Sequence, residues 1–377
     1  MSGIYIHIPF CKQACHYCDF HFSTSLKKRD DMIEALAKEI TLRRNEFAKQ
    51  QVETIYFGGG TPSLLTIDEL RFLIETVYKY YEVVAHPEIT LEANPDDLTT
   101  QLLNSFANSP INRLSIGIQS FFEQDLKLMN RAHNAEEAKT CLEEATRLFD
   151  NISVDLIYGI PGLSNARWLQ NIQTALTFDI PHISSYALTV EPKTALQSFI
   201  KKGIIDDVDD DVAQEQFQLL ADTLEDKGFI HYELSNFGKA GFFSRNNTAY
   251  WQGKAYIGIG PSAHSFNGTQ RSWNVRNNSK YIEALALSQL PMETETLTLT
   301  DKYNEYIMTG LRTMWGVSLE KVSNDFGALY KTYLLKQSEV FLEQHLLFLD
   351  DETLKVTKKG KFLSDGIASD LFMLNLV

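Results

Sequence analysis

Ile4-Tyr5-Ile6-His7-Ile8-Pro9-Phe10-Cys11-Lys12-Gln13-Ala14-Cys15-His16-Tyr17-Cys18 is the stretch around which the chain is organised. The β-branched run from Ile4 to Pro9 reads as a short strand. It leads directly into Cys11, Cys15 and Cys18, three of the four cysteines in the chain. Soft thiolates at such close spacing suit an iron–sulfur cluster or zinc. A structural zinc site wants four protein ligands in a closed tetrahedron. Here no second cysteine pair follows, Cys141 is remote, and His16 is wedged between two cysteines where it cannot readily turn to the same ion. A cubane on three thiolates leaves one iron open, which makes it a place for chemistry. The spacing favours a [4Fe–4S] cluster over zinc, and both over three unrelated buried thiols.

A length of 377 residues allows two or three domains with ample core. Hydrophobic residues make up 44% and charged ones 22%, ordinary for a soluble globular protein. A formal charge of −14 argues against a general nucleic-acid binder or a protein of anionic membrane surfaces, since both need cationic faces. No basic segment with an apolar core opens the chain, and no apolar run approaches transmembrane length. Free thiols in a ligand loop fit a reducing compartment, so the expected location is the cytoplasm.

Strand-like and helix-like stretches alternate over the first two thirds of the chain. Apolar strands are expected at 53–57, 88–92, 113–119, 152–158 and 182–188, with helical spacing between them and a last helix over 211–226. Six such units imply a parallel sheet with right-handed crossovers, either an open doubly wound sheet or a barrel. The run 231–237 reads as one more strand, followed by a loop rich in Gly, Asn and aromatics up to Asn278. Helices are expected over 303–314 and 319–326, then a hairpin over 346–357 around a polar turn. The expected units are 1–235, 236–295 and a smaller, mostly helical, winged-helix-like 296–377.

Several polar residues stand out against this pattern. Gly58-Gly59-Gly60-Thr61-Pro62 ends a strand and allows close approach of backbone to a ligand, but it lacks the Lys-Ser/Thr ending of a phosphate-binding P-loop. Glu92, Gln119 and Asp155 lie in or at the ends of apolar strands, where a polar side chain needs a partner or a ligand. Arg131 offers a guanidinium fork for a carboxylate. Taken singly, each reads more readily as a capped turn or a structural ion pair. His133 reads as a satisfied surface or interface histidine.

C-x3-C-x2-C directly after a first strand resembles the cluster loop of the radical S-adenosylmethionine superfamily. Tyr5-Ile6-His7-Ile8-Pro9-Phe10 and Cys18-Asp19-Phe20 resemble, more narrowly, the branch that holds oxygen-independent coproporphyrinogen III dehydrogenase and the HemW haem chaperones. The resemblance covers nearly the whole chain. It implies an incomplete (βα)6 TIM-like barrel with a winged-helix-like C-terminal domain, and a [4Fe–4S] cluster on Cys11, Cys15 and Cys18. It also implies S-adenosylmethionine contacts from Tyr5, Tyr17, Gly59, Gly60, Thr61, Glu92, Gln119, Arg131, Asp155 and Ala187. The open iron in this superfamily is chelated by the amino and carboxylate groups of S-adenosylmethionine.

Two departures separate the chain from the dehydrogenase. That enzyme carries a fourth cysteine two residues after the third, where this chain has Phe20, and it has a longer segment before the first strand. Both point to the haem-handling relatives. Those carry His-Asn-x-x-Tyr-Trp, where this chain reads Asn246-Asn247-Thr248-Ala249-Tyr250-Trp251. With the histidine replaced, His264 and Tyr250 become the haem-ligand candidates. The expected function is binding haem and passing it to a receiving protein, with an electron donor as second partner. An oxidative decarboxylase of a porphyrinogen and a cluster-bearing scaffold without turnover are the alternatives.

Overall fold

The computed structural model describes residues 2–46 and 50–374. Among these, six parallel strands in chain order form the wall of an open barrel: β1 (Ser2–Ile8), β2 (Val52–Gly59), β3 (Val83–Ala93), β4 (Arg113–Gln119), β5 (Ile152–Tyr158) and β6 (His182–Ala187). Parallel strands are covered on both faces, so they are apolar almost throughout; Ile4, Phe57, Leu91, Leu114, Val154 and Ile183 are fully buried.

The crossovers carry α1 (Arg29–Leu42), α2 (Ile67–Tyr80), α3 (Thr100–Ala107), α4 (Glu123–Met129), α5 (Ala135–Ala145) and α6 (Asn165–Leu176), and α7 (Ala195–Lys201) and α8 (Asp210–Asp226) follow β6. Two of these helices start on reciprocal capping boxes, Thr66 with Glu69 and Asn134 with Glu137.

The segment after α8 differs from the single strand expected at 231–237. It makes a tight hairpin of β7 (Ile230–Glu233) and β8 (Asn236–Gly238), and β8 pairs antiparallel with β6. The Glu233 carboxylate folds the chain back by accepting from the backbone N–H of Ser235 at 3.2 Å and from the Asn236 amide. The polar side chains that made this stretch look like a continuous strand are those that turn it.

The glycine- and asparagine-rich stretch is likewise more regular than a loop. It contains α9 (Arg245–Trp251), then β9 (Tyr256–Ile259), β10 (His264–Phe266) and β11 (Gln270–Asn274), α10 (Asn278–Ala286) and β12 (Met292–Thr296). β9 pairs parallel with β1, and β10 to β12 continue the sheet antiparallel. A buried ionic network anchors this extension to α1. Glu39 accepts from the Tyr281 hydroxyl at 2.5 Å, from Asn274 Nδ2 at 2.8 Å and from the Gly260 N–H at 2.9 Å. Arg43 donates to Glu39, to the Gly258 carbonyl and to Ser265. Short strands whose inward positions are Ser and Asn lack the apolar alternation that marks a strand in sequence.

A second hydrophobic core, with Tyr303, Ile307, Leu334 and Leu354 fully buried, organises the C-terminal part. It comprises α11 (Leu299–Leu311), α12 (Leu319–Phe326), α13 (Ala328–Glu343) and α14 (Ser364–Asp370), with a small sheet of β13 (Val317–Ser318), β14 (Leu347–Asp350) and β15 (Thr353–Val356). β14 and β15 form the expected hairpin, around Asp351 in the left-handed region at φ 50°.

Helix α9 is short and depends on the barrel for its start. The buried Glu88 of β3 accepts from the backbone N–H groups of Arg245 and Asn246, both at 3.1 Å, and so caps the helix N-terminus with a negative charge. Glu88→Ala should cost about 1–2 kcal/mol in urea unfolding and speed amide exchange over 245–251. Unchanged exchange there would show that α9 is held by its aromatic side chains instead.

Candidate functional site

The cysteine loop is pinned by backbone. Cys11 donates to the Ser23 carbonyl at 3.1 Å, and Ser23 to that of Pro9 at 2.9 Å, closing the loop at its base. Its far side rests on the end of α4: the His16 N–H donates to the Met129 carbonyl at 3.0 Å, and Asn130 Nδ2 donates to Ala14. Asn130 reaches this position in the left-handed conformation that ends the helix, φ 57°. The His16 ring is committed to the Leu128 carbonyl at 2.8 Å and packs edge-on against Phe199, so it does not turn to the thiols. Burial pushes Cys11 and Cys18 up to about 11, with a Thr61 hydrogen bond opposing it at Cys11 and a backbone hydrogen bond from Phe20 at Cys18. Loading a cluster therefore expels protons.

The glycine turn after β2 lies directly against this loop. Gly60 donates to the Ile8 carbonyl at 2.9 Å and Thr61 to that of Phe10 at 2.7 Å. A Cβ on Gly60 would sit 2.5 Å from the Phe10 carbonyl oxygen, and one on Gly59, at φ 108°, would enter the His7 ring. No side chain fits at either position.

A cavity of about 520 Å³ opens at the C-terminal ends of the six strands, where sites in such barrels lie. Cys11, Cys15, Cys18, Tyr17, Gly59, Gly60, Thr61, Glu92, Gln119, Arg131, Asp155 and Ala187 all line it. Tyr5 does not. It packs behind Gly58 beside Glu92 and faces an adjoining cavity of about 350 Å³, with Tyr186 shared between the two. The Tyr5 hydroxyl is bonded to His7 Nδ1 at 3.3 Å.

Within the cavity Glu92, Asp155 and Arg131 each have a structural tether. Glu92 accepts from the Tyr56 hydroxyl at 2.8 Å and from the Gly59 N–H at 3.2 Å, and burial raises its carboxyl. Asp155 accepts from Ser115 at 3.3 Å; burial, and next the charge of Glu92, push it up to about 7. Gln119 follows an irregularity in the β4–β5 pairing and adopts φ 65°, strain of the kind that re-aims a side chain into a site. Arg131 donates to Cys15 Sγ at 3.4 Å, to Asn94 Oδ1 at 2.6 Å and to the Gly117 carbonyl at 2.8 Å, and its Nε has no partner among the described residues.

Asn94 was not singled out in the sequence. Its amide donates to Thr61 at 3.1 Å while its oxygen accepts from Arg131, so it joins the glycine turn to the guanidinium. Its place just past Glu92 at a strand end was the available signal. His133 is fully buried, not a surface residue: it hydrogen-bonds the Ile118 carbonyl at 3.0 Å and lies outside the cavity.

The two haem-ligand candidates stand elsewhere. His264 and Tyr250 line a groove of about 1110 Å³ between the extension and the C-terminal helices. Asn246, at the motif position that lost its histidine, instead faces the 350 Å³ cavity and accepts from the Thr54 hydroxyl at 3.0 Å.

A thiolate loop on an open βα barrel, with a glycine turn and strand-end carboxylates around it, defines the radical S-adenosylmethionine class. In agreement, the Radical SAM superfamily model matches residues 5–175 and the HemN C-terminal domain model matches 297–363. The chain is 32% identical to the heme chaperone HemW of Bacillus subtilis (strain 168), over 97% of this chain and 98% of that one. It is also 32% identical to the mitochondrial radical S-adenosyl methionine domain-containing protein 1 of Mus musculus, over 97% of this chain and 86% of that one. The fold matches that of coproporphyrinogen III oxidase (HemN) from Escherichia coli, a radical SAM enzyme, with a TM-score of 0.86 at 22% identity over 99% of this chain and 90% of that one. The chain belongs to the HemW family.

The raised carboxyl of Asp155 carries a sign. A folded value near 7 against an ordinary 3.8 means that the empty protein is favoured with Asp155 protonated, and this stability is lost as pH rises from about 4 through 7. The carboxyl faces the cavity, so water tempers the effect. In the cofactor-free protein, Asp155→Asn should gain about 1–2 kcal/mol more over wild type at pH 8 than at pH 5, by denaturant unfolding. An equal gain at both pH values would reject the assignment.

Proposed function

We propose that the chain is a radical-SAM-type haem chaperone that binds haem and delivers it to a receiving protein. The observation that carries this reading is membership of the HemW family over 97% of the chain, together with a groove lined by His264 and Tyr250 that is separate from the cysteine-loop cavity.

In this reading Cys11, Cys15 and Cys18 hold a [4Fe–4S] cluster. Among the described residues no three of His, Cys, Asp and Glu come together around a single ion; a cubane instead takes each thiolate on a different iron. The donor set, the turn without a Cβ at Gly60 and the unpartnered Arg131 Nε all fit a cluster with S-adenosylmethionine beside it. When bound, that pair supplies one-electron chemistry. Gly59, Gly60 and Thr61 offer backbone to the cofactor, Glu92 and Gln119 offer hydrogen bonds, and Asp155 and Arg131 offer charge. Tyr5 acts from behind Glu92.

The protein works in a reducing compartment, the cytoplasm, with an electron donor for the cluster and a haem-receiving protein as partners. Among the described residues no helix is long and apolar enough to cross a membrane. Porphyrinogen decarboxylation is disfavoured by Phe20, which stands 67% exposed at the rim of the cavity where the dehydrogenase pattern has cysteine.

Anaerobic reconstitution tests both halves of the reading on one sample. Iron and sulfide should reach a four-iron complement in wild type and Cys141→Ala and fall to near background in Cys11→Ala. Haem titration should show saturable binding. A full complement in Cys11→Ala would reject the cluster assignment. Protoporphyrinogen formed in step with S-adenosylmethionine consumption would replace the chaperone reading with the decarboxylase.

A further inference from the structure

The groove between the extension and the C-terminal helices has a composition that strand pairing explains. In antiparallel pairs, opposed residues project to one face. Phe266 is opposite both Tyr256 and Arg271, and His264 is opposite Trp273. One face of β9, β10 and β11 therefore carries an imidazole, a cation and aromatic rings. The alternate residues Ser265, Ser272 and Asn274 point the other way and are buried; Ser265 and Asn274 join the Arg43–Glu39 network, so the groove floor is rigidly backed. The opposite wall is α11, where Lys302, Glu305, Tyr306 and Thr309 recur at helical spacing along one side.

We propose that this groove is the haem seat, with His264 as axial ligand and Lys302 receiving a propionate. The inference rests on the haem-binding reading above and gives it a location. Size favours the groove: about 1110 Å³, against about 520 Å³ for the cysteine-loop cavity and about 350 Å³ for the one that Asn246 faces.

Ligand availability points the same way. The rings of His7, His16, His21, His133, His182 and His231 are all engaged in hydrogen bonds; those of His86, His264 and His345 make none among the described residues, and of these three His264 is the one that lines the groove. Partial burial, and then the nearby Arg271 charge, lower its pKa, while Glu295 opposes them. The neutral imidazole, the form that ligates iron, is thereby favoured.

Charge completes the fit. Arg271 is paired with Glu305 at 2.6 Å and Lys321 with Asp325, but Lys302 has no carboxylate partner among the described residues. In a chain of net charge −14, a lysine without a carboxylate partner on an aromatic groove matches a flat apolar ligand that carries carboxylates.

The test titrates holoprotein with haem and with haem dimethyl ester, read by Soret absorbance and electron paramagnetic resonance. His264→Ala should weaken both ligands about tenfold and change the ligand-field signature. Lys302→Glu should weaken haem about tenfold and leave the ester unchanged, with Lys302→Arg restoring wild-type behaviour. Thr309→Trp, which fills the groove from α11, should abolish binding of both. Melting temperature and cluster iron content confirm that each variant is folded. Haem binding untouched by all of these variants would overturn the groove while leaving the chaperone reading intact. A spectrum altered by Tyr250→Phe but not by His264→Ala would overturn the ligand assignment. Wild type that binds no haem would overturn both the reading and the seat.

Discussion

The close approach of the end of β1 to the turn after β2 is the constraint from which the site follows. Two backbone hydrogen bonds, Gly60 to Ile8 and Thr61 to Phe10, bring the strands' ends together where no side chain fits. The cysteine loop leaves β1 at that point, so its position is set by main chain and by side chains other than the cysteines: Gln13 donates to the Asn130 carbonyl, the His16 ring bonds the Leu128 carbonyl, and Lys12 pairs with Asp96. Its distal side is held in the same way, by carbonyls at the end of α4 and by the Leu196 N–H on the His16 carbonyl. Cys11, Cys15 and Cys18 are consequently free to act as ligands. Had the loop been positioned by packing its cysteines, its spacing and its chemistry would have been in competition.

The barrel interior departs from the packed apolar layers usual in such folds. Glu92 and Asp155 face the cavity together, both raised by burial, and the fully buried Arg113 has Nε and Nη2 without partners among the described residues. Buried groups with incomplete partners are costly and persist where function needs them. The balance is sensitive to a ligand's charge. A cation entering the cavity favours the ionised carboxylates and draws the Asp155 proton away.

What the sequence made legible follows from periodicity. The six barrel strands and most crossover helices have apolar patterns long enough to read, and the strands at 113–119 and 152–158 fall on their expected residues. The site was legible because its residues sit at strand ends, where the topology must bring them together. The extension was not. Its strands bury serine and asparagine against Arg43 and Glu39, so a polar network replaced the hydrophobic alternation that would have revealed them. The hairpin at β7 and β8 was hidden similarly, since Glu233 and Asn236 read as strand residues until their side chains are seen turning the chain. Tyr5 was placed correctly on β1, but a strand residue's face is fixed by pleat, and its ring lies on the far side of Gly58.

Helix α9 makes the two halves of the molecule interdependent. Its first turn is capped by Glu88 from the barrel, and its last two residues, Tyr250 and Trp251, form the wall shared by the 350 Å³ cavity and the larger groove. Arg312 at the end of α11 stacks over the Trp251 ring at 5.1 Å and is itself paired with Asp365 of α14. Barrel, extension and C-terminal helices therefore meet on one aromatic pair. Seven residues cannot hold such a helix by propensity alone, so its geometry is dictated by its two ends. The groove can keep its shape only while the C-terminal helices stay registered on the barrel, and Asn246, tethered to Thr54 within that same helix, belongs to the frame of the groove rather than to its ligand set.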